Sequence, residues 1–148
     1  VIPGRVFLTL DIRHPDDEVL TRMDAAVRKG VDEIAKGIGL GAELEQIFYY
    51  APVPFDESCV AAVRGAAEKL GYERRDIVAG AGHDACYLAK VAPASMIFVP
   101  STGGLSHNSA EFTMPEECAA GAQVLLETVL DYDRRRGERS VGLLRDRH

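Results

Sequence analysis

Basic residues are in the minority in this 148-residue sequence, 17 Lys and Arg against 23 Asp and Glu, for a formal charge of −6. A phosphate backbone needs a basic stripe, so nucleic acid is not an expected partner. Long apolar runs are also missing; none approaches the roughly 18–20 residues of a membrane helix, and no membrane role is expected. Cysteine is scarce. Cys59, Cys86 and Cys118 are far apart and odd in number, which fits neither a disulfide framework nor a zinc ribbon and points to a reducing cytoplasm. Small buried residues on apolar faces are their plain reading. No HxH, HExxH or CxxC spacing occurs, so no local pattern supplies the three or four ligands of a zinc site. A secretory or transit signal and an initiator Met are lacking too. Val1-Ile2-Pro3-Gly4 leads at once into a patterned segment, and the expectation is a piece of a longer protein entered in mid-domain.

What is present is ordinary for a globular protein: 47% hydrophobic and 27% charged residues, at a length sufficient for one domain. Residues 5–13 alternate, with Val6, Leu8, Leu10 and Ile12 on one face and Phe7, Thr9, Asp11 and Arg13 on the other, the pattern of a half-buried strand. Pro15, Asp16, Asp17 and Glu18 open a helix, which Leu20, Met23, Val27, Val31, Ile34 and Ile38 continue. Residues 42–50 read as a second strand. Pro52 and Pro54 then mark a boundary, dividing the chain into domains at 1–52 and 53–148. A helix over 57–70 ends at Gly71. A short apolar stretch (77–79), a glycine turn (80–82), a helix (83–90) and a strand (96–99) follow, an order that predicts an α/β layer with functional loops at strand ends. A polar loop (100–108), a long helix (114–133) and a charged tail over 134–148, loose at its end, complete the chain.

Histidine is the natural candidate for chemistry here. His148 is terminal, and His14, before Pro15, reads as an exposed turn residue. His83 follows Gly82, where backbone can approach closely and the first amides of a helix face an anion or developing oxyanion; capping of its own helix is the plain alternative. His107 sits in a Gly-Gly-Leu-Ser-His-Asn loop with Glu111 four residues on as a possible orienting carboxylate; on spacing alone a satisfied loop histidine is the safer reading. Arg13 can pair with Asp11 or clamp a carboxylate through its fork of donors. Tyr49 and Tyr50 read as packing.

Taken in order, Ile2-Pro3-Gly4 with Leu10-Asp11-Ile12-Arg13, Gly80-Ala81-Gly82-His83-Asp84-Ala85, Phe98-Val99-Pro100-Ser101, and Gly104-Leu105-Ser106-His107-Asn108 with Glu111 resemble the C-terminal part of the amidase, hydantoinase/carbamoylase group. That group includes N-carbamoyl-L-amino-acid hydrolases, beta-ureidopropionases and allantoate amidohydrolases. The resemblance implies an α/β class: an α+β half-lid over 1–52, which also dimerises, then the C-terminal part of a metallohydrolase catalytic domain over 53–148. It implies hydrolysis of a carbamoyl or amide C–N bond in an N-carbamoyl or ureido acid. It also implies two divalent ions (Zn, Mn, Co or Ni) in the full enzyme, with none bound by this piece. By position, His107 would be a metal ligand, His83 would contact the scissile carbonyl, and Gly82 and Arg13 would hold the substrate carboxylate. The group's remaining ligands, its general base, the Asn that partners this Arg and a His from the neighbouring subunit would lie upstream of Val1, so the chain alone is expected to be inactive. A non-catalytic dimerisation or binding module is the competing reading, since an exposed strand edge templates pairing. A relative that keeps only the fold is a third, disfavoured by Arg13, His83 and His107 occurring together.

Overall fold

The computed structural model describes residues 2–145, with side chains up to residue 135. Two compact units divide between Pro54 and Phe55.

The first unit is built on one helix, α1 (Asp17–Gly37). Its start is set by Asp16, whose carboxylate accepts the Val19 amide at 3.0 Å and satisfies one of the donors a helix leaves open. Asp17 and Glu18 in the first turn and Lys36 in the last complement the helix dipole. Past the C-cap Ile38, the amides of Gly39 and Leu40 return to the carbonyls of Lys36 and Ala35, the paired bonds of a Schellman closure. Leu20 is buried, whereas Ile34 and Ile38 farther along the apolar face are exposed. Segment 42–50 is tied to α1 by Arg28, which donates to the Leu44 carbonyl at 3.5 Å, and by the Tyr49 hydroxyl, which donates to Asp17. The ring stacked on Tyr50 is Phe48, at 6.4 Å between centroids.

In the second unit, α2 (Glu57–Lys69) packs on α4 (Pro115–Arg145). Asp56 caps α2 through the Cys59 amide at 3.0 Å. At the other end Gly71, at φ +74°, lets the chain turn back so that the Gly71 and Tyr72 amides reach the Glu68 and Ala67 carbonyls. The contact is made of small residues. Ala66, Ala67 and Val124 are buried, with Val63 and Ile97 packed against them, and Gly121 of α4 lets the Val99 side chain come close. Two polar bonds tie the pair: Lys69 to Glu127, and the Tyr72 hydroxyl to Gln123.

Several expectations are corrected. No strand forms among the described residues: 5–13, 42–50, 77–79 and 96–99 all lack it. Alternation marks two faces of a segment, but a strand exists only when a second segment aligns beside it and completes the ladder; no described segment does so for these. The expected half-buried face is open, with Val6, Leu8 and Leu10 at 64%, 85% and 58% exposure. The helix expected over 83–90 contracts to α3 (Ala85–Leu88), because Lys90 and Val91 bond three residues back, which tightens the chain into turns. The long helix expected over 114–133 continues instead to Arg145, and the end of the tail lies outside the described residues. His148 lies outside the described residues.

Candidate functional site

Arg13 is paired with Asp11. Its Nε donates to Asp11 Oδ1 at 2.9 Å, and Nη2 meets Oδ2 in a two-point contact. The hydrogen bond from Arg13 holds the Asp11 carboxyl below its ordinary value and raises the guanidinium in turn. Both side chains are more than half exposed, so solvent screens the pair. The i, i+2 spacing on one face had offered this pairing, and the structure contains it.

Gly82 and His83 stand on the exposed turn before α3. A Cβ built on Gly82 would meet nothing within 4 Å. His83 Nδ1 accepts the Ala85 amide at 3.1 Å, the self-capping geometry that the sequence allowed. The same bond fixes the ring chemically: with Nδ1 accepting, the neutral imidazole carries its proton on Nε2, where it is a donor. The segment leading to this turn is anchored by Asp76, which takes Arg64 Nη2 at 2.8 Å while Arg64 Nη1 reaches Glu57 at 2.7 Å. Arg64 lowers the Asp76 pKa through that bond. Sequence reasoning missed this anchor; Arg64 and Glu57 share a helix face seven residues apart, but nothing local signals Asp76.

His107 occupies the tip of a loop closed at its base by the Thr102 amide donating to the Phe112 carbonyl, 2.8 Å. Within it the Ser101 hydroxyl donates to the Leu105 carbonyl, and Gly103 and Gly104 both take positive φ. His107 also has φ +55°, alone among the described non-glycine residues, a conformation costing on the order of 1–3 kcal/mol for a residue with a Cβ. The Glu111 carboxylate accepts the His107 backbone amide at 2.8 Å, and the Asn108 side chain accepts the Ala110 amide at 2.9 Å. The carboxylate that the sequence offered for orienting His107 therefore bonds its main-chain amide.

No hydrogen bond joins Gly82, His83 and His107 to one another among the described residues. Nor do the described residues assemble three or more His, Cys, Asp or Glu side chains able to hold a metal ion. Such a site takes three or four ligands, so His107 would be one contributor and the described residues do not fit a complete centre. A cavity of about 370 Å³ against α1, lined by residues including Arg28, Asp32, Lys36, Leu40 and Leu44, contains none of the four candidates. No described helix is long and apolar enough to cross a membrane.

The profile of peptidase family M20/M25/M40 matches residues 5–131. The chain belongs to this family. It is 50% identical over 131 residues to an N-carbamoyl-L-amino-acid amidohydrolase of Rhizobium meliloti, covering 88% of this chain and 32% of that protein. Against an allantoate amidohydrolase of Bacillus subtilis (strain 168) the identity is 36% over 127 residues, 86% of this chain and 31% of the other. Among solved structures, an amidase of the hydantoinase/carbamoylase family from Burkholderia multivorans superposes with a TM-score of 0.78 at 64% identity, covering 80% of this chain and 29% of that one. This M20-family chain thus spans about a third of the length of the curated relatives it matches.

Proposed function

We propose that this M20-family chain is the part of a metal-dependent amidohydrolase that holds the substrate's carboxylate and scissile carbonyl, the bond cleaved being the carbamoyl or amide C–N bond of an N-carbamoyl or ureido acid. The observation that carries the reading is 50% identity across 88% of the chain to a protein named for that chemistry, with His83 held in the tautomer that the role requires. In this reading His83 Nε2–H donates to the carbonyl oxygen as negative charge develops on it, stabilising the transition state more than the ground state. Arg13 is a carboxylate-binding residue, and the Gly82 amide is a donor of the same use. His107 supplies one ligand to a pair of divalent ions (zinc, manganese, cobalt or nickel), whose other ligands lie outside these residues. Residues 1–52 act as half of an α+β lid that also pairs two subunits, and 53–148 as the closing segment of an α/β catalytic domain; exposure of Val6, Leu8 and Leu10 supports a covered role for the first. Three free cysteines support a cytoplasmic setting.

His83→Ala in the full-length protein tests the assignment. We expect kcat for an N-carbamoyl amino acid to fall about 10²–10³-fold, the effect of losing one donor to a developing oxyanion, with KM nearly unchanged. An unaltered kcat would remove His83 from the chemistry.

A further inference from the structure

We propose that Glu111 is a positioning residue for His107, acting through the main chain and not through the ring. The inference rests on the function proposed above for His107. Two observations carry it. His107 is the one described non-glycine residue at positive φ, and its amide is received by Glu111 Oε2 at 2.8 Å. Rotating φ back to the ordinary region would swing that amide away from the carboxylate, so the bond and the conformation select each other. The carboxylate itself is brought into place by the chain between them. The Glu111 amide donates to the Asn108 carbonyl at 2.9 Å, and the Asn108 side chain receives the Ala110 amide, so residues 107–111 form a ring of local bonds seated on the Thr102 to Phe112 closure. With the backbone fixed, the imidazole leaves the loop along a direction that only its own side-chain torsions adjust. A group held this way loses little freedom when it engages a partner.

Three variants of the full-length protein test this, read by residue-level amide hydrogen exchange and by kcat and KM separately. Glu111→Ala should raise exchange at the His107 amide by about 10-fold or more, and lower kcat about 10–100-fold, the range seen when an orienting partner is lost, with KM within about twofold. Glu111→Gln keeps an acceptor oxygen at the same reach and should restore both to within about threefold. Glu111→Asp keeps the charge but withdraws the carboxylate by one methylene; it should behave as the Ala variant does, and it decides the matter if the Ala variant does not fold. An unchanged His107 exchange rate in Glu111→Ala or Glu111→Asp would overturn the proposal, as would loss of kcat in Glu111→Gln with the amide still protected. Full activity in His107→Ala is a separate failure, that of the site reading itself, and the exchange measurement stands apart from it.

Discussion

A Cβ added to Gly121 would stand 2.5 Å from Val99 Cγ1, and Val is stiff at χ1, so the neighbour cannot simply rotate away. Gly121→Ala in α4 gains helix propensity of roughly 1 kcal/mol, but the overpacking costs about 1–3 kcal/mol. The clash wins, and chemical denaturation should show a net loss. Gly65 in α2 is the contrasting case, since a Cβ there meets nothing within 4 Å. Gly65→Ala is expected to stabilise by up to about 1 kcal/mol; if both substitutions shift the midpoint the same way, the packing of Val99 against α4 is wrong. Residues of the candidate site were legible to the extent that their partners are local. Asp11 lies two positions from Arg13, and Ala85 two from His83. Asp76, twelve positions from Arg64, was not legible, and neither was the atom that Glu111 receives, because spacing places a carboxylate near a residue without choosing between ring and amide.

At the scale of elements, α1 and α2 depend on their capping carboxylates. The Ser58 hydroxyl and then the Cys59 amide hold the Asp56 pKa down, and the Val19 amide does the same for Asp16. A folded-state pKa below the ordinary carboxylate value of 3.8 means that the unfolded chain binds the proton first. The caps therefore stabilise fully above that value and are lost as pH falls through the lowered one. Helicity followed by circular dichroism should hold down to about pH 4 and decline below it. Asp56→Asn, which caps without titrating, should flatten the part of the decline that comes from α2; an identical acid profile would remove Asp56 from that role. This dependence on near neighbours is why the helices were readable from sequence. The apolar spacing, Asp16, Asp56 and Gly71 all act within a few residues. The expected strands were not, since alternation in 5–13 and 42–50 specifies a face and leaves the partner unnamed. The continuation of α4 was missed for the opposite reason: its Arg- and Asp-rich stretch looks like a solvated tail, yet Arg135 pairs with Asp131 four residues back, a spacing that supports helix.

For the whole molecule, two findings bear on activity together. The buried apolar residues described are few and mostly small, Leu20, Ala62, Ala66, Ala67, Ala85 and Val124, while Phe7, Leu8, Ile47, Phe48 and Val91 are more than three-quarters exposed. Side chains left open in this way are available for another surface to cover. The candidate groups also stop short of a reaction: Arg13, Gly82 and His83 bind and polarise in the proposed reading, His107 would be a single ligand, and the described residues assemble no metal-holding cluster. Binding and polarisation supply no nucleophile, and both are left in place by a change at His107. The 148-residue chain by itself is accordingly expected to hydrolyse N-carbamoyl amino acids no faster than its own His107→Ala variant in the presence of zinc, manganese, cobalt or nickel, as measured by amino-acid release. A rate above that control would mean that the chain completes a centre from residues not recognised as ligands. Equality between the two, with activity present in a full-length protein and lost there on His107→Ala, would assign the chemistry to the union of this segment with the rest of the enzyme.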